Sequence, residues 1–213
     1  MTKCLAAVIL ICVLAGCTRT VDNPRATSQA SIGPITAGQV ADLLSPDIQN
    51  HDGNRFAVVV PDSCAGTALE VDPPFLVDHG PAAEDGGHWS GTNGRSEVVN
   101  EEMVAVYPSD FSAADALATA RQIVEACAGR RVEVTTMADR TYTFTVEAPA
   151  VQAPAGSVLW SLRSAEWNCD NLMVAAHNAA IEVTSCGPGG GMDTVTAAEQ
   201  ALKRIEMLAD NTA

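Results

Sequence analysis

The chain has 213 residues, enough for one ordinary domain with short extensions. Its hydrophobic content of 47% and charged content of 18% are those of a globular protein, not a disordered one. A formal net charge of −14 argues against a nucleic-acid partner, because phosphate binding requires clustered Lys and Arg.

The first sixteen residues have the pattern of an export signal. After a short start with one Lys, residues 4–15 form an unbroken apolar run. A membrane-spanning helix needs roughly 20 such residues, so the run fits a signal peptide better. It ends in Leu14-Ala15-Gly16-Cys17, which resembles the bacterial lipobox. The resemblance implies transfer of diacylglycerol to the thiol of Cys17, cleavage before that residue, and usually N-acylation, with fatty chains such as palmitate.

We therefore predict three parts: a lipoprotein signal peptide at 1–16, the lipidated Cys17 with a flexible polar tether to residue 34, and a folded domain at 35–213. The domain is expected on the extracytoplasmic face of the cell membrane, held there by lipid. An uncleaved anchor, or an ordinary secretory signal with a chance Cys, is the alternative.

The elements of the first half are read from helical spacing and Val content. Thr36 can cap a helix over residues 37–44, and the Val-rich residues 56–60 predict a strand. Residues 61–96 contain many Pro, Gly, Asp and His, and they predict a long irregular stretch. A further strand is expected over residues 96–108.

The second half begins with the clearest helix, at residues 112–127, which Gly129 ends. Next the pattern predicts a hairpin at 132–147 and extended stretches at 157–167 and 171–185, the second with a bend at His177-Asn178. An amphipathic helix is expected at 194–208. Because the strands come in runs instead of alternating with helices, the pattern predicts an α+β fold with a largely antiparallel sheet and about three helices.

Four cysteines remain after the signal and the lipidated residue, and an even number in an oxidising compartment indicates two disulfides. Of the three possible pairings we favour Cys64–Cys127 with Cys169–Cys186, because the second pair brackets an expected hairpin. Free or metal-binding thiols are the alternative, but no closely spaced Cys pair typical of zinc sites is present.

Several motifs together resemble the extracellular sensor domain of the mycobacterial PknH-type serine/threonine kinases. The four cysteines and their flanking residues are the most specific of these. The motifs are Leu43-Leu44-Ser45-Pro46, Pro61-Asp62-Ser63-Cys64-Ala65-Gly66, Val104-Ala105-Val106-Tyr107-Pro108, Ala126-Cys127-Ala128-Gly129, Trp167-Asn168-Cys169 and Ile181-Glu182-Val183-Thr184-Ser185-Cys186-Gly187.

This resemblance implies a compact α+β module with a twisted sheet, the same two disulfides, and a deep cleft suggested to receive a ligand. It supplies no known ligand. The sequence shows no kinase domain, so we expect either that a signal passes through a partner or that none is transmitted. Residues 79–88 have no counterpart in the family pattern.

No catalytic motif is present, and we predict neither an enzyme nor a cofactor. A metal site built from His79, Glu84, Asp85 and His88 is the alternative to a solvated surface loop, since imidazole and carboxylate suit zinc.

Candidate ligand contacts are Trp160, Trp167 and Asn168. For the tryptophans the alternative role is packing in the core, and for Asn168 it is capping a turn.

The leading functional hypothesis is a lipid-anchored binding or sensor module for an unknown small ligand of the cell envelope. The rivals are a structural lipoprotein that docks on an envelope protein, and a metal-dependent hydrolase built on residues 79–88.

Overall fold

Eight strands form one curled antiparallel sheet. The computed structural model describes residues 34–211 except positions 52, 95 and 150. In chain order the strands are β1 (Phe56–Val60), β2 (Ala83–Asn93), β3 (Ser96–Val106), β4 (Arg131–Thr136), β5 (Thr141–Glu147), β6 (Ser157–Arg163), β7 (Asn168–Ala176) and β8 (Ala179–Gly187). Their order across the sheet is β1-β4-β5-β6-β7-β8-β3-β2, so β1 and β2 are the edges.

Five helices accompany the sheet in the described residues. They are two 3₁₀ helices, Ala37–Leu43 and Asp62–Thr67, and the helices α1 (Pro74–Val77), α2 (Ala113–Cys127) and α3 (Thr194–Asp210). Ser112 caps α2 by accepting a hydrogen bond from the N–H of Asp115 at 3.2 Å. Asp193 caps α3 through the N–H groups of Val195 and Thr196. The predicted α+β class, the antiparallel sheet and three helices of seven or more residues are confirmed.

Side chains alternate between the two faces of the sheet, and each face carries one long helix. Along β8, Ala180 and Cys186 join the core cluster that contains α2, whereas Ile181 and Val183 join the cluster that contains α3. The disulfide Cys64–Cys127 ties the second 3₁₀ helix to the last residue of α2. The two faces therefore have separate cores, here called the α2 face and the α3 face.

The chain before β1 crosses from one edge of the sheet to the other. Asn50 forms an isolated antiparallel bridge with His88 on β2, and Phe56 then starts β1 opposite Thr136 on β4. Roughly six residues span at most about 20 Å, so this crossing requires the two edges to approach each other. The curl of the sheet provides that approach.

The expectation of a long irregular stretch over residues 61–96 is wrong. The second 3₁₀ helix, α1 and all of β2 lie in it. β2 is polar and rich in glycine because an edge strand is held by backbone hydrogen bonds to one neighbour, which need no apolar alternation. A Cβ on Gly86 would collide with the sulfur of Met103, and one on Gly87 would lie 2.8 Å from Cγ2 of Ile48. Close packing therefore favours glycine at these positions of β2, and a glycine-rich segment has the sequence pattern of a loop.

Of the two extended stretches predicted in the second half, the first is shorter than predicted and the second is longer. The stretch expected at 157–167 ends as a strand at Arg163. The stretch expected at 171–185 is two strands, β7 and β8, joined at His177 and Asn178, where the bend was predicted. His177 has a φ of 51°, the left-handed conformation that a tight turn requires.

Asn178 ties the start of the described chain to the sheet. Its amide accepts a hydrogen bond from the N–H of Ile35 at 3.1 Å and donates to the carbonyls of Ile35 at 2.8 Å and Tyr107 at 2.7 Å. Because Asn178→Ala would leave these buried backbone groups without the amide, we expect it to lower the free energy of unfolding by about 2–3 kcal/mol. Chemical denaturation would measure this, with the exposed Gln152→Ala as control. A loss below about 1 kcal/mol would contradict the assigned role.

Candidate functional site

A cleft opens on the α2 face of the curled sheet, between the two edge regions. Its volume is about 340 Å³, within the range of small-molecule sites. The lining comes from β1, β4 and β5 on one side and from β2, β3 and β8 on the other. The site therefore depends on the curl, and strands distant in sequence contribute to it.

Three aromatic side chains form the apolar part of the cleft: Phe56 on β1, Tyr142 on β5 and Trp167 in the turn before β7. The ring centroids of Phe56 and Tyr142 are 6.4 Å apart, with the planes tilted by 50°. The guanidinium carbon of Arg140 lies 5.3 Å from the centroid of Tyr142, a cation–π contact. The rings offer apolar surface of the kind that small-molecule sites use.

The carboxyl groups of Glu70 and Glu101 form the polar part of the cleft. Oε2 of Glu70 accepts a hydrogen bond from the N–H of Phe56 at 2.7 Å, and Oε2 of Glu101 lies 3.5 Å from Nε of Arg55. The two residues are only 6% and 8% exposed. Gly53 lies beside them, and a Cβ there would displace the carboxylate of Glu101. The cleft therefore holds two acids that are largely withdrawn from water.

Burial raises the pKa of both acids. Desolvation outweighs the hydrogen bond from Phe56 and raises the pKa of Glu70 from 4.5 to about 8. Desolvation likewise outweighs the attraction of Arg55 and raises the pKa of Glu101 from 4.5 to about 7. Burial and the nearby Glu70 raise the pKa of a third acid, Glu182 on β8. Part of this group is therefore protonated at neutral pH.

A small void lies next to the cleft, among Glu70, Glu101 and Glu182. Its volume of about 10 Å³ is close to the space of one water molecule. Oε2 of Glu182 receives no hydrogen bond from any residue that the structure describes, and Oε2 of Glu101 is contacted by Nε of Arg55 at 3.5 Å. The void and the cleft share Glu70, Glu101 and Thr184, so the three acids form one continuous polar group, here called the acid cluster.

The structure separates the three predicted ligand contacts. Trp167 lines the cleft, and Trp160 and Asn168 are not among the lining residues. Trp160 is 1% exposed, and its Nε1–H donates to the carbonyl of Thr67 at 2.7 Å. Asn168 accepts a hydrogen bond from the N–H of Ser164 at 3.1 Å and donates to the carbonyl of Pro188 at 3.2 Å, so its amide stabilises turns. Only Trp167 of the three is placed to contact a ligand in this cleft.

The four residues considered for a metal site do not converge. His79 follows α1, and its ring lies 5.8 Å from that of Phe111. Glu84, Asp85 and His88 lie on β2, where neighbouring side chains alternate between faces. Across the described part of the chain, no group of three or more His, Cys, Asp or Glu side chains could hold a metal ion. The surface loop predicted for these residues is wrong too, because most of them lie in a strand.

Both predicted disulfides are present, and one of them borders the cleft. Cys169 on β7 and Cys186 on β8 are opposite each other in register, and Cys186 lines the cleft. We expect the double substitution Cys169→Ala, Cys186→Ala to lower the free energy of unfolding by about 3 kcal/mol, from the loop closure that the bond provides. The bond spans a sequence separation of 17. Denaturation of both proteins under non-reducing conditions would measure the loss, and equal midpoints would contradict it.

Sequence reasoning misses the three residues of the acid cluster. For Glu182 the sequence offers a usable signal, because Ile181 and Val183 flank it in an apolar strand. The structure shows that its position is indeed buried. An acid inside a strand covered on both faces needs a special environment. Glu70 carries no such signal, since it lies in an irregular segment after a 3₁₀ helix.

The family of the chain follows from comparison with known proteins. The sequence model of the PknH-like extracellular domain matches residues 26–204, and the chain belongs to this family. It is 28% identical over 141 residues to the serine/threonine-protein kinase PknH of Mycobacterium tuberculosis and of Mycobacterium bovis. The match covers 66% of this chain and 22–23% of those kinases, so the chain spans less than a quarter of their length.

A solved structure has the same fold. The crystal structure of the extracellular domain of PknH from Mycobacterium tuberculosis superposes with a TM-score of 0.60 at 22% identity. The superposition covers 83% of this chain and 98% of that domain. The resemblance inferred from the sequence motifs is thereby confirmed. Within the part of the chain that the structure describes, no helix combines the length and apolar character needed to cross a bilayer.

Proposed function

We propose that this chain is a non-enzymatic ligand-binding or sensor module on the extracytoplasmic side of the cell envelope. The observation that carries the proposal is the cleft of about 340 Å³, which two buried carboxyl groups and three aromatic rings line together. Buried acids weaken a fold unless they are paired, so a cleft that retains them fits a binding role better than a structural one. Membership of a family of extracellular domains supports the location.

Native purification tests the binding role. The protein would be extracted from its own membranes in mild detergent, and mass spectrometry would identify small molecules that co-purify. We expect Ser90→Trp, which fills the cleft from β2, to lose the bound compound, whereas Thr143→Trp at an exposed site outside the cleft keeps it. A compound retained equally by both variants, or none with the wild type, would favour docking on an envelope protein instead.

The proposal includes a lipid anchor at Cys17, which lies outside the described residues. It is supported by the apolar run at 4–15 and the tetrapeptide that ends in this cysteine. Labelled palmitate is expected to enter the wild-type protein and a Cys12→Ala control, and to be absent from Cys17→Ala. Label in Cys17→Ala, or none in the wild type, would remove this part of the proposal and leave the ligand site untouched.

A further inference from the structure

We propose that the cleft binds a small organic cation, an amine or guanidine compound that carries a flat apolar group. The inference rests on the proposed ligand-binding function and adds the chemical class of the ligand. In this arrangement the cationic group lies at the carboxyl groups of Glu70 and Glu101, and the flat group lies against Trp167 and Tyr142. Four features of the cleft support it.

The charge of the side chains that line the cleft favours a cationic ligand. The described residues that line the cleft include Glu70 and Glu101 but no Lys or Arg. Arg55 lies beside the cluster, with its Nε 3.5 Å from Glu101, and its Nη2 also donates to the carbonyl of His51 at 3.4 Å. Arg55 therefore pairs with Glu101 and attracts Glu70, whereas the charged group that acts on Glu182 is Glu70. At pH 8, above the pKa of about 7 of Glu101, this carboxyl group is largely ionised, and the cleft then attracts a cation and disfavours an anion.

The unmet hydrogen-bonding capacity of the acid cluster also favours a cation. Glu182 is only 6% exposed and lines the void, yet its Oε2 receives no hydrogen bond from the described residues. Oε2 of Glu101 has the ion-pair contact with Arg55 at 3.5 Å, and Nδ1 of His88, the cross-strand neighbour of Glu101, receives no hydrogen bond from the described residues. In its ionised form a carboxyl group only accepts hydrogen bonds, and a neutral imidazole nitrogen can accept one too. Ammonium and guanidinium groups only donate, so they complement this set.

The aromatic side chains of the cleft, Trp167 and Tyr142, favour a cation as well. A cation near the face of an aromatic ring is attracted by the ring quadrupole, most strongly by Trp. Tyr142 already makes such a contact with Arg140, whereas no cation is recorded against Trp167 among the described residues. A flat group attached to the cation would cover apolar surface on the same rings.

A neutral sugar complements the acidic lining of the cleft less well than a cation does. Sugars also stack on aromatic rings, but each sugar hydroxyl both donates and accepts, so it brings further acceptors into a site already rich in them. The hydroxyl of Ser90 serves either ligand, and it does not discriminate. The acid excess does discriminate, and it favours the cation.

Three probes of matched shape and different charge test the inference. Phenethylamine, phenethyl alcohol and phenylacetate share a ring and differ at one end, which is cationic, neutral or anionic at pH 8. Titration calorimetry of the full folded domain should show phenethylamine binding about tenfold more tightly than the alcohol, with no binding of phenylacetate. In NMR spectra the indole N–H signal of Trp167 should shift, while that of the buried Trp160 stays in place.

Matched variants identify the group responsible. We expect Glu101→Gln to remove the preference for phenethylamine over the alcohol, because the amide has the shape of the acid without its charge. Glu97→Gln, at an exposed position on the same strand, should keep it. Circular dichroism would establish that both variants fold, and if Glu101→Gln does not, the comparison of probes decides alone.

The outcomes separate the inference from the proposed function. Equal or tighter binding of the alcohol, a preference unchanged in Glu101→Gln, or no binding of phenethylamine would overturn the cation inference. A neutral compound that co-purifies with the native protein and is lost in Ser90→Trp would overturn it too, while supporting the ligand-binding role. Binding that leaves Trp167 unperturbed would show that the cleft is not the site.

Discussion

Replacing Arg204 by Met is expected to lower the free energy of unfolding by about 3–5 kcal/mol at neutral pH, because it leaves a buried carboxylate without its partner. Glu102 on β3 is 1% exposed and lies on the α3 face. The guanidinium of Arg204 pairs with Oε1 of Glu102, and its Nε donates to the carbonyl of Leu43 at 2.9 Å. Oε2 of Glu102 accepts from the N–H of Ser45 at 2.7 Å.

The pair therefore does more than balance two charges. Through its hydrogen bonds to Leu43 and Ser45, the pair connects the end of the first 3₁₀ helix to both the sheet and α3. Burial raises the pKa of Glu102, and the attraction of Arg204 opposes that rise. Without Arg204 the acid either stays charged in an apolar setting or takes up a proton, and both weaken the fold relative to the paired state.

A double variant separates the lost charge partner from lost packing. We expect Glu102→Gln combined with Arg204→Met to recover much of the loss, since Gln is uncharged and its carbonyl can still accept from Ser45. Lys203→Met, on the neighbouring exposed position of α3, is the control and should change stability little. Urea denaturation of the four proteins measures the effects. An Arg204→Met loss no larger than that of Lys203→Met would contradict the assignment.

These buried acids also show how far sequence patterns reach. The strand over residues 96–108 was predicted, and β3 forms there, but three consecutive polar residues, Asn100, Glu101 and Glu102, sit in its middle. As a sequence pattern, such a run of polar residues indicates exposure to water. In the fold Glu101 and Glu102 are buried because their partners Arg55 and Arg204 come from the chain before β1 and from α3, and Asn100 is buried with a hydrogen bond from the hydroxyl of Ser185 on β8. Pairs between residues so far apart in the sequence produce no local periodicity from which burial could be predicted.

The helices were predictable for the opposite reason. α2 and α3 show apolar residues at helical spacing with caps at Ser112 and Asp193, so local sequence decides them. β2 was missed because backbone pairing and close packing decide its structure. The cleft was implied only by the family resemblance, and of its candidate contacts Trp167 alone lines it, since its composition depends on the curl of the sheet.

The stability of the domain is expected to fall as the pH rises from about 4.5 to 8, and Glu70→Gln should remove much of that fall. The pKa of Glu70 is about 8 in the folded chain, against 4.5 as its ordinary value. Between these values the folded chain holds a proton that the unfolded chain has released, so unfolding becomes easier as the pH increases. The contribution is fully present below pH 4.5 and is lost above pH 8.

The size of the effect follows from the shift. A pKa difference of this magnitude corresponds to at most about 5 kcal/mol between acidic and alkaline conditions. Glu101, with a pKa of about 7, adds in the same direction, as does Glu182. Arg55 opposes it through its positive charge, and Thr184 opposes it through a hydrogen bond to Glu70.

Thermal unfolding at a series of pH values from 5 to 8.5 would measure this dependence. Near pH 5 we expect Glu70→Gln to match the wild type, because the protonated acid and the amide both accept the hydrogen bond from Phe56. Toward pH 8.5 the variant should become the more stable protein, since it has no charge to bury. Glu133→Gln, an exposed acid on β4, is the control and should follow the wild type throughout. Parallel curves for Glu70→Gln and the wild type would mean that Glu70 is ionised in the folded domain across this range. The excess of negative charge in the acid cluster would then be larger, and its demand for a cation stronger.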